Sequence, residues 1–414
     1  MECTVAKASP RRARLGSVAV MLLARARGVV ILVACLAPST SCSERAPIVA
    51  PPSPTAAASA VLTPLDAGAA PSLTVLRDVT AVGAGARHAC ARLASGVVSC
   101  WGANDRGQLG EGSAAPSAVA VVVPGIDHVA ELAVSPGDFA CVRHDDGGVS
   151  CWGHGAPKPA RILGIAGAIQ ISAGDGAAAC AVIVDTTVRC WTMDNAGKSA
   201  VDPAPGLRDV VQIATASDHT CARRKSGAVS CWGDNCAGQL GDGTREARTA
   251  PVAVLDLARA LGVAVSPARS CALLPSQTLA CWGAAGWSCD ASMADRCVPA
   301  GGKPECGYLA GTRPRIARGV THVAALPEGR LGCVVLESGG VACWDGRPEA
   351  PSFPGVAGPI EGITGARAVS AGERHACALV ADGTVRCWGE DDVGQLGSGA
   401  VGQPSALPMA VQQR

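Results

Sequence analysis

The sequence lacks a long apolar run and an excess of either charge. No stretch of the 414 residues approaches the roughly 20 consecutive apolar residues that a transmembrane helix needs. The chain has 35 Lys and Arg against 34 Asp and Glu, for a net charge of +1. Domains that bind nucleic acid concentrate basic residues on one surface. The sequence therefore predicts neither a membrane-spanning helix nor a nucleic-acid partner.

Motifs for catalysis and metal binding are also missing. We find no Ser/His/Asp order, His-Glu-x-x-His, phosphate-binding glycine loop or dinucleotide fingerprint. Zinc sites use closely spaced Cys pairs or Cys/His knuckles, and the sequence contains neither. The Asp-box of sialidases is also absent. The sequence therefore predicts a protein that is not an enzyme, with no cofactor and no metal.

Helical periodicity is equally hard to find, whereas turn residues are abundant. The 51 glycines and 28 prolines separate short apolar runs, which is typical of an all-β chain with many turns.

What the sequence does contain is a repeated cysteine pattern. Seven times two cysteines lie ten residues apart, and the second is followed directly by tryptophan. The first cysteines of successive pairs are 39 to 62 residues apart, and a repeat of roughly 40–50 residues is the mark of a propeller or array. The pairs are Cys90/Cys100, Cys141/Cys151, Cys180/Cys190, Cys221/Cys231, Cys271/Cys281, Cys333/Cys343 and Cys377/Cys387.

The residues within each pair predict a disulfide-linked hairpin. Folding the fourth pair about residues 225–227 places Cys221 opposite Cys231, close enough for a bridge. Glycine ends this three-residue turn in five of the seven repeats, and it adopts the required left-handed conformation at no steric cost. Thr187 and Gln277 are the exceptions, so we expect looser turns there. Twenty-one cysteines in such a register indicate an oxidising compartment.

The N-terminal part predicts export. Residues 1–42 have a local net charge of +5 and contain a short apolar run at 28–35. They therefore predict a signal peptide. Residues 32–35 resemble the lipobox of bacterial lipoproteins, in which Cys35 would be lipidated; Cys42 is the alternative. We expect a membrane-anchored lipoprotein of the cell envelope, and plain secretion is the other possibility.

Between the export segment and the repeats lies a tether. Residues 43–73 are rich in proline, alanine and serine and cannot bury enough apolar area to fold. Residues 74–414 hold the repeats. Because the fullest unit predicts four strands, at 210–214, 220–224, 228–232 and 251–254, we expect a seven-bladed β-propeller with intra-hairpin disulfides.

The repeats resemble those of the regulator of chromosome condensation (RCC1) family. The matching motifs are Gly-Gln-Leu-Gly at 107–110, 238–241 and 394–397, and Gly-x-x-His at 85–88 and 372–375. The resemblance implies an all-β, RCC1-like seven-bladed propeller in an exported, cysteine-rich lipoprotein variant. Four repeats lack the Gly-Gln-Leu-Gly turn, and the family's nuclear GTPase-exchange activity is not expected in an exported protein.

The fifth repeat carries an insert at residues 286–311. Its exposed aromatic residues, Trp287 and Tyr308, make it the candidate contact loop, although a merely decorative insertion is the alternative. Within residues 74–414, four cysteines remain outside the seven pairs, and their pairing stays open. They are Cys236, Cys289, Cys297 and Cys306.

Three histidines recur two residues before a paired cysteine. We expect His88, His219 and His375 to lie far apart and to hydrogen-bond neighbouring backbone as structural residues. The segment Asp242-Gly-Thr244 is interpreted as turn chemistry rather than a calcium site.

Two classes of function remain. The first is a monomeric scaffold that binds an extracytoplasmic protein or surface ligand of unknown identity and meets the membrane only through its lipid anchor. The alternative is an envelope enzyme, a glycan lyase or hydrolase, that uses the central channel. Clustered carboxylates at a channel mouth would favour the enzyme, and an apolar rim would favour the scaffold. For closure of the ring, we expect one permuted blade built from both termini, with residues 404–411 beside the first repeat.

Overall fold

The computed structural model describes residues 25–26, 29–30, 72–193, 199–204, 206–257, 259–277, 279–283, 320–323, 331–345 and 359–414. The chain divides into two compact units, Met1–Ala67 and Gly68–Arg414. In the first unit, strands β1 (Arg25–Ala26) and β2 (Val29–Val30) form an antiparallel pair. No helix in the described ranges is long and apolar enough to cross a membrane.

The described residues of the second unit form seven sheets, one for each repeat, and we number these blades 1 to 7. The first strands are β4 Val79–Ala84, β8 Val129–Val134, β12 Ala168–Ala173, β16 Val210–Thr215, β20 Gly262–Ser266, β23 Val320–Val323 and β26 Ala366–Ala371. The second strands are β5 His88–Leu93, β9 Phe139–His144, β13 Ala178–Ile183, β17 His219–Arg224, β21 Arg269–Leu273, β24 Leu331–Leu336 and β27 His375–Val380.

The third and fourth strands complete each blade. The third strands are β6 Val98–Gly102, β10 Val149–Gly153, β14 Val188–Met193, β18 Val229–Gly233, β22 Leu279–Gly283, β25 Val341–Asp345 and β28 Val385–Gly389. The fourth strands are β7 Ser117–Val122, β11 Ala156–Arg161, β15 Ser199–Pro203, β19 Arg248–Ala253 and β29 Ser405–Ala410; in the described parts of blades 5 and 6 the sheet has three strands. In blade 4 the strands match the four predicted ones to within three residues at either end.

The blades form a closed ring. The first strand of each blade contacts the first strand of the next, and β26 of blade 7 contacts β4 of blade 1. Two glutamines on these inner strands link neighbouring blades. The Gln170 side chain accepts a hydrogen bond from Ile213 N (2.7 Å) and donates one to Ile213 O (3.2 Å), and Gln212 does the same with Val263 N (3.2 Å) and O (3.1 Å). The predicted seven-bladed propeller is confirmed.

The core of each blade lies between it and its neighbours. The middle strands are buried on both faces, as in β6, where all five residues from Val98 to Gly102 are buried. A strand covered on both sides reads as a continuous small or apolar run rather than an alternating one, and β13 (Ala-Ala-Cys-Ala-Val-Ile) fits that description.

The predicted place of residues 404–411 beside the first repeat is wrong, but strands from the two termini do lie side by side, as predicted. Strand β29 pairs with β28 inside blade 7, so the repeat and the blade coincide. Beyond it, β30 (Gln412–Gln413) pairs in parallel with β7 of blade 1 and antiparallel with β3 (Thr74–Val75). Val411 is fully buried, and its carbonyl accepts a hydrogen bond from Leu76 N at 2.8 Å. The last residues therefore join blade 7 to blade 1 at the outer edge of that blade.

Candidate functional site

The seven cysteine pairs all form disulfides between the second and third strands of a blade. Each pair lies directly opposite in the strand register, with Cα atoms 4.0 to 4.1 Å apart. The predicted bridges are thus confirmed, and they run within blades. They are Cys90–Cys100, Cys141–Cys151, Cys180–Cys190, Cys221–Cys231, Cys271–Cys281, Cys333–Cys343 and Cys377–Cys387.

The hairpin turns are as predicted, except in the two repeats without glycine. In blade 4, Arg224 N donates to Ala228 O across the turn at 2.9 Å. Gly227 has a φ of 89°, and its N–H donates to Arg224 O at 2.9 Å. In blades 3 and 5, Thr186 (φ 66°) and Gln277 (φ 55°) adopt the same left-handed conformation and donate the same backbone hydrogen bond. The expected looser turns are wrong, and the special position in blade 3 is residue 186, not Thr187.

In three blades the tryptophan of the third strand ties its blade to the preceding one. The indole nitrogen of Trp101 donates to Gln395 O at 3.0 Å, Trp152 to Gln108 O at 3.0 Å, and Trp282 to Gln239 O at 2.9 Å. In each case the glutamine belongs to a Gly-Gln-Leu-Gly segment of the preceding blade, which we call a Gln turn (residues 107–110, 238–241 and 394–397). The turn motif of one repeat is thus the hydrogen-bond acceptor of the next.

The Gln turn needs its final glycine because the tryptophan packs against it. A Cβ added to Gly110 would lie 2.7 Å from Cδ1 of Trp152, and one added to Gly397 would lie 2.9 Å from Cδ1 of Trp101. Both glycines also have a left-handed φ, of 71° and 67°. Leu109, the residue before Gly110, is fully buried, so the turn also contributes to the core between blades.

Where the preceding blade has no Gln turn, the tryptophan lacks this acceptor. The indole nitrogens of Trp191 and Trp388 are buried and have no hydrogen-bond partner among the described residues. Blades 2 and 6, which precede them, are two of the four repeats without the motif. The presence of a Gln turn therefore predicts which tryptophans are hydrogen-bonded.

The side chain three residues before each Gln turn, an asparagine or an aspartate, stabilises the turn by accepting a hydrogen bond from its leucine N–H. Asn104 Oδ1 accepts a hydrogen bond from Leu109 N, and Asn235 Oδ1 accepts one from Leu240 N, both at 3.0 Å. Asp391 does the same for Leu396 N at 3.0 Å. However, Asp391 is only 1% exposed, and its Oδ2 has no partner in the described part of the chain. Burial raises the pKa of the Asp391 carboxyl.

The three recurring histidines are buried, but only one has hydrogen-bond partners. His219 Nε2 lies 2.8 Å from Ser270 Oγ of the next blade, and its Nδ1 lies 3.2 Å from Asp218 Oδ1. Both ring nitrogens of His88 and of His375 are without partners among the described residues. The predicted bonds to neighbouring backbone are therefore wrong for His88 and His219.

The cause of this difference lies in the neighbouring blade. The residue equivalent to Ser270 is Ala140 beside His88 and Ala89 beside His375, and alanine has no hydroxyl. Burial lowers the pKa of His88 to about 4. Burial, and then the nearby His88, lowers the pKa of His375 to about 3. These two histidines belong to adjacent blades, so the expectation that they lie far apart is also wrong.

The Asp242 segment has the expected geometry of a turn. Its Oδ1 accepts hydrogen bonds from Thr244 N (2.9 Å) and Asn235 Nδ2 (3.0 Å), and its Oδ2 accepts one from Arg248 Nε (3.0 Å). In the described ranges, no three His, Cys, Asp or Glu side chains come together as metal ligands.

Several predicted site residues fall outside the described residues. These are the lipidation candidates Cys35 and Cys42, the contact-loop residues Trp287 and Tyr308, and three of the unassigned cysteines, at positions 289, 297 and 306. Cys236 is described and exposed, in the residues that lead into the Gln turn of blade 4.

A cavity of about 210 Å³ lies between blades 3 and 4, and the sequence alone did not indicate it. One side of the cavity is lined by blade 4, through Trp232, His219, Thr215 and Thr220. The other side is lined by the Cys180–Cys190 bridge of blade 3. The signal that could have revealed it is the missing Gln turn of blade 3, because in blades 1, 4 and 7 this turn covers the tryptophan of the following blade.

Comparisons with known proteins agree with this geometry. The sequence profile of the Regulator of chromosome condensation (RCC1) repeat matches residues 79–108, 210–239 and 366–395. The chain is 27% identical over 203 residues to the Arabidopsis thaliana ultraviolet-B receptor UVR8, which covers 42% of this chain and 46% of that protein. It is 28% identical over 193 residues to the Mus musculus E3 ubiquitin-protein ligase HERC2, which covers 40% of this chain and 4% of that protein. The chain thus spans less than half the length of either relative.

Solved structures share the fold at low sequence identity. Yeast RCC1 (Prp20), in its crystal structure with Kap60, superposes with a TM-score of 0.60 at 17% identity, over 85% of this chain and 91% of that chain. Human WBSCR16 superposes with a TM-score of 0.60 at 18% identity, over 77% and 94% of the two chains. These likenesses show the fold alone. Together with the three matched repeats and the closed ring of blades, they show that the chain folds as an all-β, RCC1-like β-propeller.

Proposed function

We propose that this protein is an exported, lipid-anchored scaffold that binds an extracytoplasmic protein or surface ligand, and that it is not an enzyme. Seven intra-blade disulfides are the observation that carries export. Such bridges persist in oxidising compartments and are rare in a reducing cytosol. The lipid anchor rests on the sequence around Cys35 and Cys42 alone.

Exposed aliphatic side chains on one face of the ring support binding. The hairpin turns pack against the linkers between blades on this face; for example, Val184 N donates to Gly167 O and Ala260 N to Gly227 O. We call it the linker face. Leu163 is 82% and Val184 70% exposed there, and the linker between blades 4 and 5 exposes about half of Leu255 and Leu261. Exposed apolar groups of this kind mark interaction surfaces when they lie together.

The central channel offers less support for catalysis. Among the described first strands, Glu131 is the single acidic residue. Its Oε2 accepts hydrogen bonds from Arg143 Nε at 3.1 Å and from Ile171 N at 3.2 Å, so it holds two blades together. A glycosidase needs a pair of carboxyl groups flanking the scissile bond, and these strands do not bring two together. The scaffold is therefore favoured over the glycan-cleaving enzyme.

A capture experiment with a matched variant tests the proposal. The oxidised full-length protein, immobilised, should retain a partner from an envelope extract over an interface of roughly 800 Å² per partner. The Leu163→Asp/Val184→Asp double variant, altered only at exposed positions, should lose that partner while unfolding at the same temperature as the wild type. Identical captured material from both proteins would contradict a binding role for the linker face. Turnover of a cell-surface glycan by the purified protein would contradict the scaffold itself.

A further inference from the structure

The Gln turn of blade 4 shows how this fold binds a peptide carbonyl. Gln239 O accepts two hydrogen bonds from blade 5, one from Trp282 Nε1 and one from Ser270 Oγ, both at 2.9 Å. The following Leu240 is fully buried between the blades. Three elements thus make one binding position: an indole donor, a hydroxyl donor and a space for an aliphatic side chain.

Blade 4 presents the same donors to blade 3, where the turn is missing. Trp232 and Thr220 stand at the positions of Trp282 and Ser270 in the repeat. In blade 3 only five residues connect the third strand, which ends at Met193, to the fourth, which begins at Ser199, and they contain no Gly-Gln-Leu-Gly motif. The cavity of about 210 Å³ lies at this interface, and Trp232 is half-buried, unlike the fully buried Trp101.

The lining of this cavity sets its charge preference. Asp202 and Asp218 line it, both are exposed, and no described lining residue is a lysine or an arginine. Thr215 also lines it; this side chain is 6% exposed, and its hydroxyl has no hydrogen-bond partner among the described residues. Acidic groups at the opening disfavour a carboxylate and favour a neutral carbonyl next to a cationic group.

We propose that the cavity between blades 3 and 4 binds a peptide loop of a partner protein. The loop supplies a main-chain carbonyl to Trp232 and Thr220, an aliphatic side chain to the space that leucine fills elsewhere, and a lysine or arginine toward Asp202 and Asp218. The occupant is thus a basic, leucine-containing turn, which substitutes for the Gln turn that blade 3 lacks. This inference deepens the proposed scaffold function and rests on it for the source of the loop.

Synthetic peptides test the cavity independently of any natural partner. The probe is acetyl-Gly-Gln-Leu-Lys-amide, added to the oxidised full-length protein while the indole N–H resonance of Trp232 is followed by NMR. This resonance is assigned by its loss in Trp232→Phe. We expect a saturable downfield shift. Replacing leucine by aspartate in the peptide should weaken binding at least about 10-fold, since burial of a leucine side chain contributes roughly 1.5–3 kcal/mol.

Two conservative variants identify the contacts. Thr220→Val removes one hydroxyl and should weaken binding of the probe about 5-fold. Asp202→Asn, at an exposed position, should reduce the preference for the lysine peptide over its glutamate counterpart. No saturable shift in the wild type, equal binding of the leucine and aspartate peptides, or an unchanged affinity in Thr220→Val would overturn the inference. Each of these failures would leave the capture experiment on the linker face unaffected.

Discussion

Asp391 is a position where the protein should gain stability by a single substitution. Asn104 and Asn235 occupy the same place before the other two Gln turns. Besides accepting from a leucine N–H, each donates from its amide nitrogen: Asn104 to Ala115 O at 3.0 Å and Asn235 to Thr244 O at 3.1 Å. Asp391 has an oxygen at that place, which is buried without a partner. Asp391→Asn should therefore keep the first bond and add the second.

The size of the effect follows from the cost of an unsatisfied buried group. Leaving such a group unpaired costs about 1–3 kcal/mol, and a new hydrogen bond contributes about 1 kcal/mol. We expect Asp391→Asn to stabilise the protein at pH 7 by about 2 kcal/mol. In a domain of this size, that raises the thermal midpoint by roughly 2 to 4 °C.

The pH dependence distinguishes this cause from a general surface effect. Because burial raises the pKa of the Asp391 carboxyl in the folded state, the folded protein binds this proton more tightly than the unfolded chain. The stability linked to this group is present below the unfolded pKa of about 3.9 and is lost as the pH rises through the folded value. The advantage of asparagine should thus be large at pH 7 and small near pH 3.5.

The assay is thermal unfolding of the oxidised full-length wild type and Asp391→Asn at both pH values. The mirror variant, Asn235→Asp, places a carboxylate beside Asp242, whose Oδ1 is 3.0 Å from the present amide nitrogen, and should destabilise the protein at pH 7. An Asp391→Asn protein that is no more stable at pH 7, or equally stabilised at both pH values, would refute the reasoning.

Three further predictions concern acid stability, the tail and the anchor. Since the folded pKa values of His88 and His375 lie below the usual value of about 6.5, protonation of the unfolded chain should destabilise the fold as the pH falls from 6.5 to 4, by roughly 3 kcal/mol for His88 alone. In the His88→Phe/His375→Phe variant, the unfolding free energy should depend less steeply on pH between 6.5 and 4. An unchanged pH dependence would contradict the lowered pKa values of these two histidines. Deleting residues 404–414 removes the fourth strand of blade 7 and β30. The thermal midpoint of unfolding should therefore fall much more than deletion of an unstructured tail would cause. An unchanged midpoint would mean that the ring closes without these residues. Replacing Cys35 and Cys42 together by serine should abolish palmitate labelling and release the protein from the membrane pellet; continued sedimentation with membranes would disprove the lipid anchor.

The fold could be predicted from the sequence because its determinants are local. A disulfide between Cys221 and Cys231, and the turn between them, depend only on the residues within one hairpin. Thr186 and Gln277 adopt the left-handed conformation because a backbone hydrogen bond across the turn and the adjacent disulfide fix the hairpin. These constraints outweigh the conformational preference of the residue.

The candidate site could be predicted less well because its hydrogen bonds and burial depend on residues of the neighbouring repeat. His88 and His219 occupy the same repeat position, yet only His219 has partners, because Ser270 of the next blade is replaced by Ala140 beside His88. Likewise, the indole nitrogen of Trp388 has no partner in the described part of the chain, and the sequence of blade 6 lacks the Gly-Gln-Leu-Gly motif. Such pairings become visible only when each residue is compared with its equivalent in the neighbouring blade.

The bond from each Gln turn to the tryptophan of the following blade has a consequence for how such rings grow by duplication. When a single repeat is duplicated and inserted elsewhere in the ring, its Gln turn lies next to the tryptophan of a different blade. Its own tryptophan likewise lies next to the turn of a different blade. Inserting a repeat between blades 4 and 5, for example, would separate Gln239 from Trp282. Between blades 3 and 4 the described residues contain no such bond. The unit that can be exchanged intact therefore begins in the middle of one repeat and ends in the middle of the next. Chimaeras cut at that midpoint, and not at the repeat boundary, should be the ones that fold.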